Sequence, residues 1–555
     1  MRKCLCMMVA AGVAAAVAFA EGERRLGMEQ YRDRMLGGWV GQIAGVCWGA
    51  PTEFKWNDTV IPLAAMPEWK PEMINEAFGQ DDLYVEMTFL RSLEEYGLDV
   101  SIRQAGIDFA NSEYQLWCAN DAGRKNLRKG IAPPDSSHPQ FNKCPNDIDY
   151  QIEADFAGLI SPGMPNSVVA LGEKFGRLMN YGDGVYGGQF IGAMYTEAFF
   201  TDDMQKIIAA GLAAIPQDSQ YAEMVRDVVK WHAENPGDWQ DTWRLCLKKY
   251  RQDPAYQKCS NGGIDVKING ACVLMGLLYG NGDMDQTIII ATRGGWDSDC
   301  NPSTAGGVLG AALGYAKLPE KFKQKLDMTR KFDFTAYNIP ELKAVCEKLA
   351  RQIVVQQGGR VEGDVFIIPD TPVQPSKLEL SWEPGPIANS RFTEEEYEKV
   401  RFKPHPADVP GNPTERVQGA LDVLLPGWKT SANGPDMNPG YRAEYHGHKH
   451  VVMTHPLDKD TGVTLSKDVD VPDGAAKLMV TIANHEKGDF TFIAKVDGKE
   501  IMRKKIGDND KVEWQTLALD LAPYAGKRVK VELINQPDGW QWEAAYWGAI
   551  QMPLN

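Results

Sequence analysis

No cysteine follows Cys346, none of the ten cysteines falls in a CxxC or Cys/His spacing, and acidic residues outnumber basic ones 75 to 59. The first absence confines any disulfide to the part of the chain before Cys346, and the second excludes a zinc-finger type of site. The third leaves a formal net charge of −16. Nucleic acid and anionic membrane surfaces are therefore excluded as expected partners. There is also no apolar run long enough to span a membrane. The longest candidate, Met7–Phe19, follows Arg2 and Lys3 and ends at Ala18-Phe19-Ala20, which is the pattern of a secretory signal cut after Ala20. We expect an exported protein, periplasmic or extracellular, without membrane insertion. No internal repeat or low-complexity tract is present, and nothing in the sequence sets an oligomeric state.

A chain of 555 residues with 43% hydrophobic composition exceeds one domain and has ample material for two cores. Between Met28 and Gln356 the apolar residues recur at helical spacing, most clearly in Tyr31–Ala50, Leu83–Tyr96, Ser167–Asn180, Gly188–Phe200, Asp218–Glu234, Lys267–Tyr279 and Ser303–Ala316. Glycines recur inside these segments, at 37, 38, 41 and 45 and again at 306, 307, 310 and 314. Each costs about 1 kcal/mol against Ala in a helix interior, so the repetition implies close helix packing. Gly358–Pro375 breaks the pattern and reads as a linker or an extended segment. Beyond it, alternating runs at Lys477–Ile482, Phe490–Val496, Trp514–Leu519, Val529–Ile534 and Ala544–Gln551 are separated by turn residues. The expected organisation is a signal over 1–20, an all-α domain over 24–357, a linker over 358–377, and a β-sandwich of jelly-roll type over 378–555.

Chemistry concentrates in two short acidic stretches, Gly79-Gln80-Asp81-Asp82 and Gly294-Gly295-Trp296-Asp297-Ser298-Asp299-Cys300-Asn301, each leading into a helical segment. Helix capping explains one Asp per helix start, not two. Adjacent carboxylates repel, and a divalent cation is the natural partner for oxygen ligands so arranged.

Three motifs in order give the first domain a resemblance to the ADP-ribosylglycohydrolase family, an all-α fold with a two-metal site. Gly45-Val46-Cys47-Trp48-Gly49-Ala50-Pro51-Thr52-Glu53 is similar to the family's GDAxGxPxE, Gln80-Asp81-Asp82-Leu83 to its TDDT turn, and Gly294–Asn301 to its GGDTDTN turn with Trp296 inserted. The resemblance implies that Gln80, Asp81, Asp82, Asp297 and Asp299 hold one or two ions, Mg²⁺ or else Mn²⁺ or Ca²⁺, and that Glu53 is the catalytic acid. Departures are Gln80, Leu83 and Cys300 where the family has threonines, and Val46 where it has Asp. The family's Gly-rich arm carries basic residues for a diphosphate, whereas Ser161–Ser167 and Asn180–Gly188 here contain no Arg, Lys or His. That arm suits a neutral sugar better than a nucleotide. Asp155, Asn180, Asp183, Tyr186, Trp296 and Asn301 are the candidates for substrate contact.

Asp147–Asp155 is a third acidic stretch, expected to be a solvated helix start with Asp155 as a secondary candidate. In the second domain, alternation would put His446, His448 and His450 on one face of an exposed strand. Trp540, Trp542 and Trp547 are candidates for a sugar-stacking platform or for core. The expected function is an exported, metal-dependent glycohydrolase that cleaves an N- or O-glycosidic bond of a small-molecule sugar, ribosyl or glycan substrate. Two alternatives are an ADP-ribosyl-(protein) hydrolase proper and a glycan-binding protein that has lost catalysis.

Overall fold

The helix Met28–Gly49 is buried around nearly its whole circumference from Met35 onward, and four-residue spacing puts Gly37, Gly41, Gly45 and Gly49 on one face. That face meets the helix Cys300–Leu313 backbone to backbone. A Cβ on Gly37 would collide with the carbonyl oxygen of Gly310, on Gly41 with that of Gly306, on Gly45 with that of Pro302, and on Gly49 with that of Ser298. The glycines are thus a packing ladder between antiparallel helices. Its last rung presses the end of the first helix onto the Asp297–Asp299 turn. Gly45→Ala is expected to cost at least about 3 kcal/mol of stability in urea unfolding, because neither backbone can retreat. Gly237→Ala, where a Cβ meets nothing within 4 Å, should stay within about 0.5 kcal/mol. Equal effects at the two positions would refute the ladder.

A computed structural model describes residues 22–403, 411–473, 477–507 and 511–552, which fall into two units divided between Arg401 and Phe402. The expected signal over 1–20 lies outside the described residues. In the first unit the expected helices are found at Asp81–Tyr96, Pro165–Phe175, Asp183–Ala198, Gln220–Glu234, Val266–Tyr279 and Cys300–Leu313. Several begin earlier than their apolar pattern because a polar residue opens the first turn. Asp265, for example, accepts from the Lys267 amide at 2.9 Å at the start of Val266–Tyr279.

The segment 358–377 is not a free linker. Strands β1 (Glu23–Gly27), β2 (Arg360–Glu362) and β3 (Val365–Pro369) form an antiparallel sheet in the order β1-β3-β2, and Phe366, Ile367 and Ile368 are buried. Residues 376–392 then run back over the helical unit. Tyr186 donates to the Lys377 carbonyl at 2.9 Å, the Glu379 amide donates to the Tyr186 hydroxyl at 2.7 Å, and the Ser390 amide donates to Asp135 at 2.7 Å. The division therefore comes after this strap, at 401/402, rather than at 377/378. Besides the neighbouring β2, β3 pairs with the distant strand β1, which no local pattern can show.

The second unit holds two five-stranded antiparallel sheets. The short strand β4 (Lys429–Thr430) joins β7 (Val463–Asp470), β12 (Arg528–Gln536), β9 (Phe490–Val496) and β10 (Lys499–Ile506) in the order β10-β9-β12-β7-β4. The other sheet has the order β11-β8-β13-β6-β5, with β5 (Gly440–Tyr445), β6 (His448–Thr454), β8 (Lys477–Asn484), β11 (Gln515–Asp520) and β13 (Ala545–Gln551). Alternate residues such as Leu478, Val480 and Ile482, and Val529, Val531 and Leu533, build one core between the sheets. Two expectations change here. His446, with φ of 44°, and Gly447 make the turn between β5 and β6, so the three histidines do not line one face. Their rings pack on Tyr445, Trp514 and Tyr441 respectively. Trp547 belongs to the core, while Trp540 and Trp542 stand exposed on the loop before β13.

Candidate active site

Glu53 follows a short turn, Ala50–Thr52, that continues the first helix. Its neighbourhood is fixed to the second acidic turn by three bonds. Thr52 Oγ1 and Ser298 Oγ are 2.7 Å apart, the Phe54 amide donates to the Trp296 carbonyl at 2.9 Å, and the Trp296 amide donates to the Trp56 carbonyl at 2.9 Å. Trp296 is fully buried, stacked on Trp243 at 5.6 Å between centroids, with its indole N–H on Asp58 at 3.2 Å. It is a plug that pins the turn, and does not form a wall of a substrate cleft.

The two acidic turns converge as expected. The Cys300 thiol donates to Asp82 Oδ2 at 3.2 Å, joining the helix starts. Ligand atoms of Asp297, Asp299 and Cys300 lie within 4.8 Å of one another. Gln80 and Asp81, both half-buried, stand at the junction between the preceding turn and the helix Asp81–Tyr96. Oδ1 of Asp82, Asp297 and Asp299 are each buried with no hydrogen-bond partner among the described residues.

Burial, reinforced by neighbouring carboxylates, pushes Asp82 and Asp297 well above the usual carboxylate range, and burial also raises Asp299, against the lowering effect of its hydrogen bonds, the one with Asp297 first. Asp81 rises to about 6, through burial and then the Asp299 charge. Glu53 rises to about 7, through burial and then the charges of Asp299 and Asp81. The charges acting on these five groups are one another's, with no lysine or arginine among them. Orphaned, desolvated oxygens on three aspartates, with Asp81 half-buried beside them, fit a hard divalent cation, and the buried Cys300 thiol is the one soft group in the set.

The third acidic stretch departs from expectation. Asp147, Asp149, Glu153 and Asp155 are all buried, because the chain there forms two single turns, Asp149–Ile152 and Asp155–Leu159, instead of one exposed helix. Asp149 accepts from the Asn120 amide at 2.8 Å, and Glu153 accepts from the Asn120 side chain. Asp149 Oδ2 and Glu153 Oε2 are left without partners. Asp81 raises both groups, so they extend the acidic centre on its far side. Tyr84, one turn along from Asp81, feels Asp81, Glu153 and Asp82 in turn. The acids are visible in the sequence, but their burial has no local signal, and nothing marks Tyr84.

Of the substrate candidates, Asp155 lies in the core and accepts from the Tyr195 hydroxyl. Asn180 ties down the loop before Tyr150. It donates to the Pro145 and Asp147 carbonyls and accepts from the Tyr150 amide at 3.0 Å. Asp183 accepts from the Tyr221 amide at 3.1 Å, and Tyr186 holds the strap. Asn301 donates to Asn269 at 2.9 Å and keeps a free carbonyl oxygen. The strap also covers the Gly-rich turn, since a Cβ on Gly182 would meet Ser381 Oγ at 2.8 Å and the Glu379 carbonyl at 2.9 Å. The chain itself occupies the place where that turn could receive a ligand.

A mainly helical unit with carboxylates gathered at converging helix ends defines the class of fold. More particularly, residues 28–359 match the ADP-ribosylglycohydrolase family, and the chain belongs to it. One similar solved structure is described as an "ADP-ribosylglycohydrolase-related protein complex", 14% identical, covering 59% of this chain and 99% of that chain with a TM-score of 0.39. For the C-terminal part, TmCBM61 in complex with beta-1,4-galactotriose is 17% identical over 24% of this chain and 90% of that chain, with a TM-score of 0.19. The K1 cleaved adhesin domain of Lys-gingipain from Porphyromonas gingivalis W83 is 12% identical over 23% and 91%, with a TM-score of 0.18. No curated protein matches the chain.

Proposed function

We propose that the protein is an exported, metal-dependent glycohydrolase that cleaves an N- or O-glycosidic bond of a sugar-containing substrate. The observation that carries this reading is the set of orphaned, buried oxygens on Asp82, Asp297 and Asp299 beside Glu53. A bound Mg²⁺ or Mn²⁺ would supply polarisation of substrate hydroxyls and a more acidic water. Asp81, Asp82, Asp297 and Asp299 hold that ion, with Gln80 able to add an amide oxygen. Glu53 is the exposed member of the group. With its carboxyl lifted to about 7, it can both take a proton from an attacking water and return one to the leaving atom near neutral pH.

Family membership favours a second reading, an ADP-ribosyl hydrolase proper. The covered Gly-rich turn and the absence of basic residues there weigh toward a neutral sugar. Glu53→Gln is expected to lower kcat by about 100-fold or more on whichever glycoside or nucleoside is turned over, while cation affinity changes by less than about threefold. Chelation should abolish turnover, and Mg²⁺ or Mn²⁺ should restore it. Turnover unaffected by both chelator and Glu53→Gln would refute the proposal. Binding of saccharide with no turnover by the parent protein would leave the non-catalytic alternative.

A further inference from the structure

Four aromatic residues of the helical unit are exposed among the described residues, and three of them sit around the acidic centre. Phe54, 41% exposed, directly follows Glu53. Phe334, 62% exposed, packs edge-on against Tyr84 at 5.3 Å and Tyr114 at 5.8 Å, and Tyr84 is in the first turn of the helix that carries Asp81. Trp117, 51% exposed, caps the helix whose Asn120 amide donates to Asp149. Phe54 and Phe334 have φ of 50° and 62°, a region bulky side chains rarely adopt, and Cys118 after Trp117 has φ of 41°. Neighbouring bonds hold two of these conformations. The Phe54 amide is tied to Trp296, and the Asp333 amide is tied to the Phe78 carbonyl at 2.8 Å.

We propose that Phe54, Trp117 and Phe334 are stacking subsites for a neutral oligosaccharide laid across the acidic centre. The proposal rests on the glycohydrolase reading and names its substrate class. The apolar face of a pyranose ring stacks on aromatic rings, as their flat apolar faces allow, and its hydroxyls donate to carboxylates. The centre offers a nucleotide's phosphates no lysine or arginine to pair with, so their contacts would fall to the cation alone.

The test is equilibrium binding to the full chain with Mg²⁺ present, in a Glu53→Gln background so that ligand is not consumed. The probes are tetrasaccharides of glucose, galactose, mannose and xylose, with ADP-ribose as comparator. At least one saccharide is expected to bind, Trp117→Ala and Phe334→Ala should each weaken it tenfold or more without lowering the melting temperature, and ADP-ribose should not displace it. Trp542→Ala, which removes an exposed ring of the second unit, should leave that binding unchanged. The proposal is overturned if no saccharide binds, if binding ignores Trp117 and Phe334, or if ADP-ribose alone binds in a ring-dependent way. Ring-dependent saccharide binding without turnover by the parent protein would sink the hydrolase reading and leave the subsites standing.

Discussion

Asp297→Asn and Asp299→Asn are each expected to weaken Mg²⁺ or Mn²⁺ binding by about 100-fold or more and to remove measurable turnover. Loss of a group that merely supports a ligand already costs about 10–100-fold in metal affinity, and here the ligand itself loses its charge. A second effect runs the opposite way. Without metal, the parent holds Asp82, Asp297 and Asp299 buried near one another with no cation beside them, so an uncharged amide relieves repulsion. Both variants should therefore melt at or above the parent temperature in chelator, and below it in saturating Mg²⁺, where the parent gains binding free energy. Calorimetric titration and thermal melts with and without chelator read both effects. Tight cation binding that survives both substitutions would place the ion elsewhere, and a parent that binds no cation would remove the metal centre altogether.

The pH dependence of stability should be unusual in sign. Asp147 is held at about 8, Asp149 and Asp155 at about 7, and Asp81 at about 6, in each case chiefly by burial. The same groups titrate at about 3.9 in the unfolded chain. Between about pH 4 and pH 8 the folded state then binds more protons than the unfolded state, and stability falls as pH rises. The stabilisation is fully present below about pH 4 and is lost as pH passes through the folded values. A tenfold difference in a carboxyl's proton affinity between the folded and unfolded chain is worth about 1.4 kcal/mol, so the metal-free protein should lose several kcal/mol from pH 5 to pH 8. Saturating Mg²⁺ or Mn²⁺ should flatten this slope by keeping the ligand carboxylates ionised in the folded state. Denaturant midpoints across that range, with chelator and with cation, measure it. A metal-free protein that grows more stable toward pH 8 would mean that these carboxylates are ionised and paired.

Those acids show what the sequence can and cannot reveal. The paired aspartates at 81–82 and 297–299 are legible because two carboxylates at one helix start exceed what capping needs. The glycine spacing likewise announces a close helix crossing, and the alternating strands announce the sandwich. Asp147–Asp155 misleads because an acidic segment looks solvated unless its burial is known, and burial comes from Asn120 and from distant elements packing over it. Asn180, Asp183 and Tyr186 lie in a suggestive Gly-rich turn, yet their bonds serve backbone groups and the strap at 376–392. A contact between positions nearly two hundred residues apart leaves no periodic trace. Trp296, inserted between the glycines and the first Asp, suggests a contact with substrate when its role is to fill space behind the turn.

The glycine ladder also has an evolutionary consequence. Positions 37, 41, 45 and 49 tolerate no side chain, since each faces main chain, so the alignment of Glu53 with Asp297 and Asp299 is inherited as a unit with the helix crossing. Phe54, Trp117 and Phe334 stand on connecting segments that carry no such constraint. If the rings are sugar subsites as proposed, a lineage can exchange them, and with them the sugar preferred, while the register between Glu53 and the Asp297–Asp299 turn is passed on unchanged.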